Sequence, residues 1–191
     1  PGEESRKSLY SKLKDYKIAA PNFSPVVISP TTRWRFKSWR TDGFSELIEY
    51  LNKNFNFPVV IIGGTEPLDI EISKEIINRC KKKPLDLTGK TSLLELAALL
   101  EMAKLFVGVD SAPMHIASAL KIPTVGIFGP TNIAEWAPLD NGNGFCKTVA
   151  MEELSCLPCD RTGCGNSKVS DCLVQLSVER VIEVINEVFQ Y

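Results

Sequence analysis

The stretch SPTTRWRFKSWR, from Ser29 to Arg40, combines cationic, aromatic and hydroxyl side chains within twelve residues. Its four cations, of which Lys37 is one, alternate with aromatic residues, and Thr31 and Thr32 precede them. Cations and hydroxyl groups at this density suit a bound anion, most simply a phosphate. A solvated basic loop whose tryptophans anchor it to the core would have the same composition, so the loop alone leaves both interpretations open.

The only histidine, His115, lies five residues after Asp110 in the stretch VDSAPMHIASAL. Ser111 or Ala112 is expected to begin a helix here, and the free N–H groups of a helix start can hold a phosphate. A single histidine on a short helix is more often structural. An aspartate, a hydroxyl, a helix start and the sole histidine within six residues nevertheless favour a ligand site.

Three further stretches have weaker signals. In IIGGTEP two glycines permit close backbone approach, and Glu66 either complements the dipole of the next helix or accepts hydrogen bonds from a ribose or base. In DLTGKTSLLE, Thr91 could touch a ligand, although capping of the next helix by Thr91 or Ser92 is favoured. In FGPTNIAEW, Thr131 could donate to a ligand, and an ordinary loop is the alternative. The fingerprint GxGxxG is absent from the sequence.

Apolar runs that do not alternate, separated by amphipathic segments, predict the elements that position these stretches. The pattern is typical of a parallel sheet covered on both faces, a doubly wound, Rossmann-like α/β fold. Ligands of such folds bind beyond the carboxyl ends of the strands. Strands are predicted at Val26–Ser29, 57–64, 84–89, 104–110 and 122–128, with 145–150 as an optional sixth, and helices at 42–54, 67–83, 91–103, 111–121 and 177–191.

The bulk composition narrows the classes of protein. A chain of 191 residues suits one sizeable domain, and 22 basic against 23 acidic residues give no electrostatic footprint of a nucleic-acid partner. No apolar run is long enough to cross a bilayer, and the polar start does not resemble a signal peptide. We therefore expect a cytoplasmic protein. The start without methionine suggests a piece of a longer chain, with residues 1–24 as a linker and 25–191 as the domain.

Four of the six cysteines, Cys156, Cys159, Cys164 and Cys172, lie close together near the C-terminus. Their spacing resembles that of zinc ligands in a closed structural site. Free thiols and disulfides are the alternatives, and a cytosolic location argues against disulfides. We expect the cluster to stabilise the local structure rather than to catalyse, with zinc as the lesser alternative.

Three stretches together resemble the bacterial lipopolysaccharide heptosyltransferases and related glycosyltransferases that use ADP-heptose. They are SPTTRWRFKSW, DSAPMHIASALKIPTVGIFGPTNIAEWAP and LSCLPCDRTGCGNSKVSDCLVQLSVERV, and their order and spacing agree with the family over residues 24–191. The resemblance implies the GT-B architecture, in which two Rossmann-like domains face a cleft. This chain would be the C-terminal, donor-binding half with the interdomain linker.

The resemblance also implies which residues contact the donor: Thr31, Thr32, Lys37, Glu66, Thr91, Asp110, Ser111, Ala112 and His115. The first three would hold the diphosphate, Glu66 would contact the ribose, and Thr91 would lie near the adenine. The last four would surround the phosphates and sugar hydroxyls. Many family members have glycine in place of Ala112, whose methyl group narrows the approach to the donor.

The implied reaction transfers heptose from ADP-heptose to the lipid A-core acceptor at the cytoplasmic face of the inner membrane, with at most peripheral membrane association. The sequence contains no Asp-x-Asp, so we expect metal-independent chemistry without a cofactor. The acceptor site and the catalytic carboxylate would lie in the other domain, and this chain would bind donor without transferring sugar. The alternatives are a transferase for another nucleotide sugar and a non-enzymatic nucleotide-binding module.

Overall fold

Six short strands form one parallel sheet in the order β3-β2-β1-β4-β5-β6. In the computed structural model, which describes residues 1–140 and 144–189, the strands are β1 Val26–Ser29, β2 Val59–Ile61, β3 Leu85–Asp86, β4 Leu105–Val109, β5 Thr124–Ile127 and β6 Cys146–Val149. This topology confirms the predicted doubly wound fold, including its optional sixth strand. Positions 141–143 of the predicted domain, and the last two of its predicted closing helix, lie outside the described residues.

The helices cover both faces of the sheet and give two hydrophobic cores. They are α1 Glu3–Asp15, α2 Thr41–Asn54, α3 Pro67–Arg79, α4 Leu93–Glu101, α5 Ala112–Ala119, α6 Ile133–Trp136, α7 Asp171–Gln175 and α8 Val178–Phe189. Val26 and Ile28 of β1 face the core built with α2 and α8, while Val27 faces the core built with α1, α4 and α5. Both faces of β1 are buried, which explains its unbroken apolar run.

The order of the strands reverses between β1 and β4, so their carboxyl ends meet at the topological switch point of the sheet. The two strands are in register, with Ser29 opposite Gly108. A Cβ on Gly108 would lie 2.8 Å from the carbonyl oxygen of Ser29. The glycine therefore permits the close approach of the two strands that open onto the switch point.

The segment predicted to be a linker, residues 1–24, includes a helix that packs against the domain. Helix α1 contacts α4, and Leu9 and Leu13 are fully buried between them. Burying each leucine stabilises the contact by about 2 kcal/mol. The polar sequence of α1 hid this contact because only these two positions, one helical turn apart, carry fully buried apolar side chains. The role of residues 1–24 as an interdomain linker stays a prediction.

Other element boundaries differ modestly from the predictions. Helix α4 begins at Leu93, with Ser92 as its N-cap and Glu95 completing the predicted capping box. Helix α3 ends at Arg79, before the three lysines. The short helices α6 and α7 were not predicted, because four or five residues are too few to show a helical period. None of the helices in the described ranges is long and apolar enough to span a bilayer.

Candidate functional site

A cleft of about 1130 Å³ opens at the carboxyl edge of the sheet, around the switch point. Four strand–helix junctions contribute all nine residues that the sequence predicted as donor contacts. These are Thr31, Thr32 and Lys37 after β1, Glu66 after β2, Thr91 after β3, and Asp110, Ser111, Ala112 and His115 after β4. Residues far apart in the sequence, such as Thr31 and His115, therefore share one cavity.

An ion pair joins the two junctions at the switch point. Lys37 Nζ lies 2.7 Å from Asp110 Oδ2, and the two side chains are 22% and 7% exposed. A carboxylate as buried as that of Asp110 needs such a partner, because desolvation penalises an uncompensated charge. The charge of Lys37 is thus already balanced before any ligand binds. A phosphate entering here has to compete with Asp110 for the lysine.

The loop that carries Lys37 is fixed to the rest of the domain by its neighbours. Trp39 is 2% exposed, and its indole Nε1 donates to the carbonyl oxygen of Leu176 at 3.1 Å. Ser170 Oγ donates to the carbonyl oxygen of Phe36 at 2.6 Å. Trp34, by contrast, is 53% exposed and lines the cleft. Trp39 anchors the loop, as expected of a basic loop held to the core by its tryptophans. Trp34 faces the cavity, as expected of a loop that binds a ligand.

The junction after β2 lies against Thr31 of the junction after β1 and Thr88 of the junction after β3. A Cβ on Gly63 would lie 3.1 Å from Thr31 Oγ1 and 2.9 Å from Thr88 Cγ2, so this position needs glycine for the close contact. Glu66 is the N-cap of α3, and its exposed side chain makes no capping hydrogen bond within the described chain. Its carboxylate is therefore available to accept hydrogen bonds from a ligand.

The junction after β4 presents the start of α5 to the cleft. Ser111 is the N-cap, but its Oγ donates back to the carbonyl oxygen of Val109 at 3.1 Å and caps none of the described N–H groups. Those first-turn N–H groups can therefore bind an anion at the positive end of the helix dipole. Ala112 is exposed and His115 is partly buried, and both line the cleft.

The cleft has an apolar rim that was not predicted from the sequence. Trp34, Leu93 and Trp136 line it and are 53%, 65% and 51% exposed. Large apolar side chains that are exposed together around a cavity are typical of binding sites, and aromatic faces are suited to stacking on a base. The signal in the sequence was the position of tryptophans just beyond strand ends. Thr131, by contrast, is 6% exposed and is not among the residues that line the cleft.

The structure does not gather the four C-terminal cysteines into a metal site. Within the described residues there is no group of three or more metal-binding side chains, and all six cysteines are free thiols. Cys172 is buried in the core beside α8, whereas Cys156 and Cys164 are exposed. Burial raises the pKa of the Cys172 thiol to about 11. The free-thiol alternative, and zinc as the lesser one, both stay predictions.

Known proteins match this chain over most of its length. The model of glycosyltransferase family 9 (heptosyltransferase) matches residues 1–170. Lipopolysaccharide heptosyltransferase 3 of Escherichia coli strain K12 is 45% identical over 114 residues, which are 59% of this chain and 33% of that protein. The lipopolysaccharide core heptosyltransferase OpsX of Haemophilus influenzae is 28% identical over 189 residues, which are 95% of this chain and 54% of that protein.

The fold also matches a solved structure. E. coli ADP-heptose LPS heptosyltransferase II superposes with a TM-score of 0.77 at 20% identity, over 100% of this chain and 53% of that one. At this identity the likeness shows the fold alone. OpsX and heptosyltransferase II match nearly all residues of this chain, and the chain spans about half the length of each of them.

Proposed function

The chain belongs to glycosyltransferase family 9, the heptosyltransferases, and from that premise we propose that it is the donor-binding half of an enzyme that transfers heptose from ADP-heptose to the inner core of lipopolysaccharide. One observation carries the proposal: nine residues predicted as donor contacts, from four separate junctions, line one cleft at the switch point of the sheet. The names of the relatives supply the sugar and the acceptor class.

The donor lies across the cleft, with its diphosphate at the switch point. Thr31, Thr32 and Lys37 hold the diphosphate from the β1 side, and the N–H groups at the start of α5 hold it from the β4 side. Asp110, Ser111, Ala112 and His115 surround the phosphates and the sugar hydroxyls. Supporting this placement, Lys37 and Asp110 already touch each other across the two junctions.

The nucleoside lies toward the β2 and β3 ends of the cleft. The exposed carboxylate of Glu66 accepts hydrogen bonds from the ribose hydroxyls, and Thr91 lies beside the adenine. The apolar side chain of Leu93 lines the same part of the cleft and offers contact area to the flat base. Inorganic phosphate lacks both contacts, so it is expected to bind more weakly than ADP.

Displacement of ADP from the sugar builds negative charge on the leaving diphosphate oxygen. The acceptor oxygen forms a bond to the anomeric carbon as the bond to the diphosphate oxygen breaks, and the electron pair leaves with ADP. Lys37, the two threonine hydroxyls and the start of α5 stabilise that charge electrostatically. The proton of the acceptor hydroxyl passes to a carboxylate that we place in the other half of the family architecture.

The proposal extends to the cellular setting. The acceptor is the lipid A-core at the cytoplasmic face of the inner membrane, reached through the acceptor-binding half, and nucleic acid is not a partner. With the acceptor site and base elsewhere, this chain alone binds donor but does not transfer heptose. Detectable transfer by the 191-residue chain would contradict this division of roles.

Calorimetric titration with ADP, UDP and GDP tests the identity of the donor. We expect ADP to bind at least tenfold more tightly than the other two, a difference of about 1.4 kcal/mol in binding free energy. Equal weak binding of all three would count against ADP-heptose and favour a general nucleotide-binding module. Preference for UDP or GDP would instead indicate a transferase for another nucleotide sugar.

A further inference from the structure

Helix α1 is tied to the start of α4 by a polar cluster beside the donor cleft. Ser8 Oγ donates to Glu95 Oε1 at 2.6 Å, and Lys12 Nζ donates to Glu95 Oε2 at 2.7 Å. The same Oε2 accepts a hydrogen bond from the backbone N–H of Ser92 at 2.7 Å, as part of the capping box of α4. The Glu95 side chain is 7% exposed, so its charge depends on these donors.

Lys12 makes a second contact that reaches the wall of the cleft. Its Nζ donates to the carbonyl oxygen of Lys90 at 2.8 Å. Residues 91–93, which follow directly, line the cleft. Lys12 therefore binds both ends of the turn that leads into α4, through the carbonyl of Lys90 and the carboxylate of Glu95.

The opposite side of this turn is held by the sheet. Gly89 adopts a positive φ of 69°, and its N–H donates to the carbonyl oxygen of Gly63 at 3.0 Å. Gly63 itself lines the cleft. The turn thus lies between the end of β2 on one side and α1 on the other, and Lys12 is its polar contact on the α1 side.

The ion pair in this cluster persists over a wide pH range. Burial by itself raises the pKa of Glu95, but the hydrogen bonds from Lys12, Ser8 and Ser92 outweigh burial and bring the pKa down to about 2. The carboxylate therefore stays ionised wherever the protein is folded under ordinary conditions. Lys12 is held by a full charge while it donates to the turn.

We propose that Lys12 is a positioning residue for the donor site, which fixes residues 90–93 against the nucleoside end of the bound donor. The identity of that ligand rests on the proposed function, whereas the ordering of residues 90–93 by Lys12 does not. A residue outside the sheet, on a helix that precedes it in the sequence, thereby sets part of the wall that faces the adenine.

A matched pair of variants tests this role in the 191-residue chain. Lys12→Met removes the cation beside the cleft. Arg6→Met removes a cation that joins the same two helices at the far end of α4, where Arg6 donates to Glu101 at 2.9 and 3.0 Å. Both variants lose a contact between α1 and α4, but only the first loses a contact to the turn. Thermal melting checks that both remain folded.

Two measurements compare the variants with the unaltered chain. Hydrogen exchange reports on the backbone amides of residues 90–95, and calorimetry compares ADP with inorganic pyrophosphate, which lacks the nucleoside. We expect Lys12→Met to speed exchange and to weaken ADP binding, each by roughly fivefold, the equivalent of one lost hydrogen bond. Pyrophosphate binding should be unchanged, and Arg6→Met should alter neither measurement.

Several results would overturn the inference. Unchanged exchange of residues 90–95 in Lys12→Met would show that Lys12 does not order the turn. Equal effects of Lys12→Met and Arg6→Met would show that helix packing, rather than the contact to Lys90, is responsible. If the unaltered chain binds no ADP, the proposed function fails, and the exchange data alone still decide whether Lys12 positions the turn.

Discussion

Replacing Lys37 by methionine tests the ion pair at the centre of the cleft. The change keeps most of the aliphatic volume but leaves Asp110 Oδ2 without the Nζ that lies 2.7 Å away. Breaking a buried ion pair from one side costs about 3–5 kcal/mol, whereas exposed pairs contribute about 0–1 kcal/mol. Asp110 is 7% and Lys37 is 22% exposed, so the pair lies between these limits. We expect urea denaturation to show a loss of about 2 kcal/mol in the free energy of unfolding.

A second substitution separates the loss of the pair from the loss of the lysine. In the double variant with Lys37→Met and Asp110→Asn no buried charge is left without a partner. Most of the stability should therefore return. If the double variant is no more stable than Lys37→Met alone, the cost comes from lost packing rather than from the stranded carboxylate of Asp110.

The single substitutions Lys37→Met and Asp110→Asn are expected to have opposite effects on ADP binding. A charge-assisted hydrogen bond contributes about 1.5–3 kcal/mol, so Lys37→Met should weaken ADP binding by about 10- to 100-fold in calorimetry, below the melting temperature of the variant. Asp110→Asn alone should tighten ADP binding, because it removes the anion that competes with the diphosphate for Lys37. Wild-type affinity for ADP in Lys37→Met would contradict the contact between Lys37 and the diphosphate. Weaker ADP binding in Asp110→Asn would contradict the competition between Asp110 and the diphosphate.

Three further results are expected. The pKa of Glu95 is lowered from 4.5 to about 2, so the ionised carboxylate contributes its full stability above about pH 4.5 and loses it as the pH falls toward 2. Thermal melts should show this loss of stability at low pH, and the loss should be smaller in Glu95→Gln. Binding of ADP should change the tryptophan fluorescence, because Trp34 and Trp136 line the cleft. The double variant Trp34→Phe with Trp136→Phe should abolish this change, and an unaltered change in that variant would show that the rim does not contact the ligand. In the native protein Cys80 and Cys172 should react slowly with a thiol reagent, because both are buried and their pKa values are raised to about 11. Metal analysis under reducing conditions should find less than one zinc ion per chain.

The parts of the fold that the sequence predicted depend on local patterns. The apolar run of β1 and the cap and acidic partner of α4 are each encoded within a few residues, so strand and helix could be placed from neighbouring positions. The parallel order then brought the strand ends to one edge. This is why residues as far apart as Thr31 and His115 were correctly expected at the same edge of the sheet.

The parts that escaped prediction depend on contacts between distant residues. Lys12 and Glu95 are 83 positions apart, and nothing near Lys12 indicates that its charge faces a buried carboxylate. The pairing of Lys37 with Asp110, 73 positions apart, was equally invisible, although both residues were predicted for the site. The zinc interpretation of the cysteines rested on their spacing alone, and no group of three or more metal-binding side chains is formed among the residues that the structure describes.

The hydrogen bonds that anchor the Lys37 loop have a consequence for the order in which the protein matures during synthesis. The loop belongs to the first strand junction of the sheet, yet its anchors, Ser170 and the carbonyl of Leu176, lie 134 and 137 positions after the residues that they hold. A nascent chain can form β1 long before those residues leave the ribosome. The loop around Lys37 is therefore anchored only after residues 170–176 have been synthesised, and a chain truncated before Ser170 is expected to build much of the sheet while leaving this loop unanchored.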